Sequence, residues 1–422
     1  MNTSELIITW ATPFFFALIA LEFIVARVRG QRVYRGNDTV NSIGLGVMSQ
    51  IAGVFTKLLT LGIYAWCVEH LALFALPAHS LWVWISALLL YDLLYYWLHR
   101  MGHEVNILWA AHVVHHQSEQ YNLSTALRQT STGGLLGWIF YLPMALLGYP
   151  LEVFVAVALI DLLYQFWVHT EQVGKLGWFD RVFCSPSNHR AHHAVNDRYL
   201  DKNYGGILIL WDRLFGTFVE EDERDPPVYG TRSPLRSLNP LWANAEVYWS
   251  TWQDARRAAR WRDRLQIWLR PPGWRPADVA ARYPKAPFEL ARERFDPPLP
   301  PRVALYCLVQ FALLLGMTTH FLALAARTDW TTLLAHAAML AGSLWVLGRL
   351  MEGRPGARSL EALRVVLLAA LPLLLGRWFG VASLDPRLGL ALAAVFGLSA
   401  LCLPWLGQAV QASPASDRPL RA

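Results

Sequence analysis

Nine apolar runs divide the chain, close to residues 6–26, 43–66, 81–98, 133–149, 151–168, 302–325, 331–348, 361–376 and 387–407. A bilayer crossing needs about 20 mostly apolar residues, and in lipid a helix satisfies every backbone N–H and C=O within its own segment. The runs therefore predict an all-α polytopic membrane protein with about nine transmembrane helices. Composition agrees: 55% of the 422 residues are hydrophobic and 16% are charged. The 20 Trp and 15 Tyr suit the two interfacial belts of a membrane protein. A formal charge of +6 would fit a nucleic-acid partner, but the Lys and Arg fall mostly between the apolar runs. Cytoplasmic loops and anionic lipid account for them, and no nucleic-acid partner is expected. Cys67, Cys184, Cys307 and Cys402 are scattered without paired spacing, which predicts neither disulfides nor a thiolate site. The first run lacks a basic leader and a cleavage signal, so it is expected to stay as a membrane helix.

Charge between the runs predicts orientation. Arg27, Arg29, Arg32 and Arg35 follow the first run, whereas Glu69 to Ser80 contains no Lys or Arg. The first loop is then cytoplasmic, the second external and the amino terminus outside. Alternation puts 99–132, 169–301, the Arg349 to Arg364 loop and the tail carrying Arg418 and Arg421 in the cytoplasm. Arg377 and Arg387, flanking a short external loop, run against this pattern. Gly148, Tyr149 and Pro150 form a turn sequence between the fourth and fifth runs. Two parts are expected: a membrane-embedded core over 1–300, and a carboxy-terminal transmembrane helical region over 301–422. Between them Trp249 to Trp274 mixes Arg256, Arg257, Arg260, Arg262 and Arg264 with Trp252, Trp261 and Trp268, which suits a helix lying on anionic headgroups.

Nine of the 13 histidines lie between positions 99 and 193, in spaced groups. His99 and His103 continue the third run at i and i+4. His112, His115 and His116 (HVVHH) and His189, His192 and His193 (HRAHH) each place imidazoles at i, i+3 and i+4, on one side of a helix. His169 follows the fifth run. So many imidazoles near the cytoplasmic ends of apolar helices predict a metal centre, because unpaired buried nitrogens would each cost on the order of 1–3 kcal/mol. No Cys accompanies them, and clustered carboxylates are missing, which disfavours structural zinc, iron–sulfur clusters, magnesium and calcium. Eight or nine imidazoles exceed one ion's needs, so two ions are expected; spacing leaves zinc, copper and iron open. Asp92 and Asp161 sit inside runs, seven and eight positions before His99 and His169, where ionisable groups are costly and tend to be functional. Gln165 lies one turn before His169. His70, His79, His320 and His336 lack partner spacing and are expected to be structural.

The segments HRMGHEVNILWAAHVVHHQSEQYNLSTALRQ (99–129), WVHTEQVGKLGWFDRVFCSPSNHRAHHAVND (167–197) and YLDKNYGGILILWDRLFGTF (199–218) resemble the fatty acid hydroxylase/sterol desaturase superfamily. The words HTE, DKNYGG and WDRLFGT favour its ether-cleaving branch. The resemblance covers roughly 85–300 and implies a non-haem di-iron site on the cytoplasmic face, in the inner membrane if the cell is bacterial. It implies His99, His103, His112, His115, His116, His169, His189, His192 and His193 as ligand candidates, one of them supporting rather than ligating. Zinc is a substitute for iron during overexpression. Asn196 is a candidate for holding a metal-bound water, and Glu104 for orienting a ligand or handling a proton. Asp92 and Asp161 are expected to hydrogen-bond around the ligands. The implied reaction hydroxylates a lipid at the carbon beside an ether oxygen of an alkylglycerol, using O2, and the product breaks down to a fatty aldehyde and a glycerol derivative. Tetrahydrobiopterin, the branch's reductant, is implied by resemblance alone, and another electron donor stays open. Tyr95, Tyr96, Trp97, Phe166 and Trp167 lie beneath the site, as channel lining or as packing.

Alternatives within the superfamily are hydroxylation or desaturation of a sterol or a fatty acyl chain, which release no fatty aldehyde from an alkylglycerol. A metal transporter would place its ligands at mid-membrane in broken helices. A bis-histidine haem protein would need only two of the imidazoles.

Overall fold

The computed structural model describes residues 3–406 and is helical throughout. Among the described residues there is no strand, only isolated bridges such as Phe183 with Leu208 and Ala194 with Tyr229. The tail carrying Arg418 and Arg421 lies outside the described residues.

In chain order the helices are α1 (Thr3–Val28), α2 (Gly36–Leu71), α3 (Leu81–Glu104), α4 (Asn106–His116), α5 (Leu123–Ala126), α6 (Gly133–Gly137) and α7 (Leu142–Leu146). There follow α8 (Leu151–Trp167), α9 (Phe179–Val182), α10 (Pro186–His193), α11 (Leu210–Phe215), α12 (Pro240–Arg257), α13 (Trp261–Gln266) and α14 (Ala277–Arg282). The last four are α15 (Pro301–Leu324), α16 (Trp330–Met351), α17 (Ala357–Leu375) and α18 (Pro386–Cys402). Among the described residues five helical segments are long and apolar enough to cross a membrane: 36–71, 81–104, 301–327, 330–351 and 386–406.

All nine expected runs are helical, but the fourth is not one continuous helix. Residues 133–146 form α6, a 3-10 turn over Trp138–Tyr141, and α7. Gly133, Gly134, Gly137 and Pro143 weaken the helical repeat there. At 1.5 Å per residue this broken segment spans roughly 21 Å and the 17-residue α8 roughly 26 Å, both short of a hydrocarbon core of about 30 Å. In the other direction, α3 continues past the expected end of its run to Glu104 and carries His99 and His103 on unbroken helix.

The chain forms two compact units. The first comprises 1–35, 55–235 and 244–293; the second comprises 36–54, 236–243 and 294–422. In the first, α3 packs against α7 and α8 through Val83, Ala87, Tyr91, Met144, Ala145, Val153 and Val157. Small side chains at such contacts let helices approach closely, which is how helices associate in lipid. Beside it α1 meets α5 and α8 through Ile19, Leu123, Ala126 and Phe166. Expected as one amphipathic helix, Trp249 to Trp274 instead breaks after Arg257 and resumes at Trp261. It anchors the start of α4: Asn106 N donates to Arg270 O and Asn106 Nδ2 to Thr251 and to Ile267 O.

The second unit holds α15 to α18 around buried polar side chains. Glu361 accepts from Arg364 and from the Tyr306 hydroxyl, each at 2.7 Å. Arg364 also donates to Gln310, which donates to Ser399. His320 and His336 are neighbours here, ring centroids 5.6 Å apart, with the Nε2 of His320 on the Phe379 carbonyl.

Candidate metal centre

Four segments bring the nine histidines together. The end of α3 supplies His99 and His103, α4 supplies His112, His115 and His116, and α10 supplies His189, His192 and His193, with His169 just after α8. Because α3 and α8 both end at the centre, the chain descends through α6–α7 and returns through α8. Pro186 at the first turn and a Ser185 side chain accepting from Asn188 N start α10 sharply.

The imidazoles divide into two groups. His99, His103, His112, His116 and His192 form one; His115, His169, His189 and His193 form the other, and within each the nearest ligating atoms lie within 4.8 Å of one another. The expectation that each tripod presents a single face needs correction. The i and i+4 residues of a tripod join one group while the i+3 residue joins the other, so α4 and α10 each serve both groups in opposite senses.

Ring orientation is set by the main chain. The Nδ1 of His99 donates to Tyr204 O at 2.9 Å, that of His115 to Arg128 O at 2.9 Å, that of His169 to Gln165 O at 2.8 Å, and that of His192 to Lys202 O at 2.9 Å. A carbonyl can only accept, so each of these rings carries its proton on Nδ1 and presents a lone pair at Nε2. Two of those lone pairs, on His115 and His169, face each other within a file of Nε2 atoms. His115 Nε2 lies 3.1 Å from His169 Nε2, which lies 3.1 Å from His189 Nε2, itself 3.2 Å from His193 Nε2. In the five-membered group His112 and His116 approach at 3.1 Å, and the Nε2 atoms of His99, His103 and His192 are buried without a hydrogen-bond partner. Burial holds the imidazoles neutral, drawing His115 down to about 4 and His169, His189 and His193 well below the usual histidine range. Neutral rings with lone pairs converging at such distances fit a cation between them. The set is all nitrogen, which excludes a thiolate site, and groups of five and four imidazoles exceed the two axial ligands a haem takes, so the arrangement matches a non-haem transition-metal centre.

The other expected residues surround this core at different depths. Asp92 accepts from Ile207 N at 2.7 Å, Leu208 N at 3.0 Å and the Trp211 indole at 2.8 Å, fixing the segment whose Tyr204 carbonyl orients His99. Asp161 accepts from the Gln165 amide, and its second oxygen is buried without a partner. Between the two acids lies Gly206, where a Cβ would sit 2.6 Å from Asp161 Oδ1 and 3.0 Å from Asp92 Oδ1. Glu104 is ion-paired with Arg100 at 2.9 Å and partly exposed, and touches no imidazole. Asn196 does not face the centre with a free amide. Its Nδ2 donates to Asp225 and Pro226 O, and its Oδ1 accepts from Val228 N, so it shapes that loop. Of the aromatic set, Tyr95 donates to Gln165, Tyr96 bonds Thr217, Phe166 stacks on Phe15, and Trp167 packs on Phe179; these are packing contacts.

Several supporting residues escaped the spacing argument. Arg190, inside HRAHH, makes a two-pronged pair with Glu221 and donates to Thr170 O and Val173 O, tying α10 to the segment of His169. Arg128 donates to Val114 O while its own carbonyl takes His115. Glu22 of α1 accepts from Tyr34, Thr170 and Leu123 N. A glutamate in the first apolar run was the available signal for the last of these, and no pattern marked the others.

Comparison with known proteins adds family context. Residues 84–217 match the fatty acid hydroxylase family model, and residues 303–376 match the model for the alkylglycerol monooxygenase C-terminal domain. The alkylglycerol monooxygenase of Homo sapiens is 36% identical over 94% of this chain and 88% of its own length. That of Danio rerio is 37% identical over 93% and 87%, and that of Xenopus tropicalis 35% over 85% and 80%. No solved structure matches the chain.

Proposed function

This chain belongs to the alkylglycerol monooxygenase family and is a lipid-hydroxylating, oxygen-dependent membrane enzyme, and we propose that its reaction is oxidative cleavage of the ether bond of alkylglycerols at a di-iron centre. The observation that carries the metal reading is the division of nine histidines, eight of them buried and His112 half-buried, into two groups whose ligating nitrogens converge. His99, His103, His112, His116 and His192 would hold one iron, and His115, His169, His189 and His193 the other. Bound there, the pair supplies activation of O2 for insertion of one oxygen atom into a C–H bond. Overall, the methylene beside the ether oxygen, O2, two electrons and two protons give a hemiacetal and water. The hemiacetal C–O bond then breaks to a fatty aldehyde and a glycerol hydroxyl. The two electrons come from tetrahydrobiopterin on this reading.

The protein's own part is positioning and protection. Main-chain carbonyls lock four of the imidazoles, and Asp92 holds the segment that carries one of them. Asp161 holds the side chain of Gln165, the residue whose main-chain carbonyl takes His169 Nδ1. Glu104, the partly exposed acid next to a ligand, is assigned proton exchange at the rim. Helices α3 and α8 lead from lipid to the centre, so an apolar chain reaches it without crossing water.

For the membrane arrangement we retain nine crossings with the amino terminus outside and the centre in the cytoplasm. Residues 1–300 make the hydroxylase core, and 301–422 a helical region. The two short segments, α6–α7 and α8, form a descending and returning pair, so the sidedness of every later helix is the same whether that pair crosses or re-enters. The test is incubation of the purified chain with a 1-O-alkylglycerol, O2 and reduced pterin. Stoichiometric fatty aldehyde is expected, with two metal ions per chain; a hydroxylated lipid with its ether intact would overturn the ether reading. Reporter fusions in 352–357 on the external side would overturn the orientation.

A further inference from the structure

Tyr204 packs against the five-histidine group, and its polar end is left over. Its ring lies 5.4 Å from that of His103, 5.8 Å from His99 and 5.9 Å from His192, measured between centroids. It is fully buried, and its hydroxyl has no hydrogen-bond partner. The backbone holds it there firmly: Tyr204 N donates to Asp212 Oδ1 at 2.8 Å, and Tyr204 O receives His99 Nδ1 at 2.9 Å. Its neighbour Tyr96 is equally buried, but its hydroxyl is bonded to Thr217 at 2.9 Å and receives Arg100 at 3.3 Å. A buried phenol is ordinarily paired, and an orphan at an enzyme's centre asks for an acceptor that arrives with the reaction. In the adjoining group the Nε2 atoms of His99, His103 and His192 are themselves buried without a hydrogen-bond partner and belong to the nitrogens that would hold the ion. Where the imidazoles leave a position open on the ion, the group that fills it would be an oxygen or nitrogen donor with lone pairs to spare.

We propose that Tyr204 is a catalytic residue of this centre, whose phenol O–H donates a hydrogen bond to the small non-protein ligand held by the ion of the five-histidine group. The inference rests on the metal centre assigned above. Its chemical class of ligand is a small oxygen- or nitrogen-donor molecule or anion: water, hydroxide or an oxygen-derived species in turnover, azide as a stand-in. A hydroxyl placed there stabilises negative charge on that ligand and keeps it from leaving, as donors in other preorganised sites do.

The experiment uses the full-length chain in detergent, loaded with cobalt(II), and follows azide binding by the visible absorption bands. Wild type and Tyr204→Phe are expected to bind two cobalt ions per chain alike, whereas the azide dissociation constant rises about tenfold in Tyr204→Phe, the effect of one lost hydrogen bond. Tyr96→Phe, whose hydroxyl is already engaged, should leave azide affinity unchanged. Metal-free Tyr204→Phe should melt no lower than metal-free wild type, because the substitution deletes an unsatisfied hydroxyl. Incorporation of 3-fluorotyrosine, a stronger donor at the same place, should tighten azide, and in a Tyr96→Phe background as well. Equal azide affinity in wild type and Tyr204→Phe, or loss of cobalt from Tyr204→Phe, overturns the inference and leaves the metal centre standing. Failure of wild type to bind cobalt overturns the metal centre itself.

Discussion

Removing one imidazole should affect the two ions unequally, and His192→Ala is the sharpest case. His192 sits next to His193 in the chain, yet its Nε2 belongs with His99, His103, His112 and His116, while His193 belongs with His115, His169 and His189. Structural transition-metal sites of about four ligands are worth on the order of 10–16 kcal/mol, or roughly 3 kcal/mol per ligand. Loss of one ligand should therefore weaken that ion's affinity roughly a hundredfold. The alanine leaves the Lys202 carbonyl without its donor, a smaller cost of about 1 kcal/mol. The helix itself should persist, since alanine is the strongest helix former. Chelator titration of His192→Ala, read by metal analysis, should show one ion released at roughly a hundredfold lower chelator activity and the other close to wild type. His115→Ala should show the same pattern for the opposite ion. Aldehyde release should be lost in both. If both ions leave His192→Ala together with equal loss of affinity, or if neither is affected, the division into two groups is wrong.

Three further outcomes follow from the geometry. Gly206→Ala should lower both melting temperature and metal content, because its Cβ would lie 2.6 Å from Asp161 Oδ1 and 2.9 Å from the Tyr95 ring; activity at wild-type level would show that the acids are not held against this backbone. Arg364→Met should destabilise the second unit by about 3–5 kcal/mol, leaving Glu361 buried and uncompensated, while metal stoichiometry is unchanged; thermal unfolding with metal analysis checks both. Stripping the metal should speed amide exchange in α4 and α10, whose imidazole nitrogens gather 3.1–3.2 Å apart and lose the ion that would tie them, and leave α15 to α18 as they were.

Helical periodicity was enough to find the nine apolar segments and the nine clustered imidazoles, because both patterns are local. It also contains the division of the tripods. At 100° per residue, i+4 lies only 40° from i, while i+3 lies 60° to the other side, so His112 and His116 stay together and His115 turns away. What local pattern could not supply is where distant segments return. The carbonyls of Arg128, Lys202 and Tyr204 orient three ligands from loops 10 to 105 residues away, and main-chain acceptors carry no residue-type signature. Asn196 shows the same limit: the resemblance implied a role at the metal, and no local pattern could show that its amide bonds the loop at 225–228. The fourth apolar run read as one helix because hydropathy is blind to four glycines and a proline within it.

The absence of carboxylates from both ligand groups has an electrical consequence. Nine neutral imidazoles cancel no charge, so two divalent ions would leave four positive charges in a buried, poorly screened volume. The nearest acid to any ligand is Asp201, with an oxygen 3.9 Å from His103 Nδ1, and it is half-exposed. Such a centre resists further loss of electrons and draws small anions out of water. It also repels cationic molecules, so a neutral lipid and a neutral reductant can approach where charged ones of the same sign cannot.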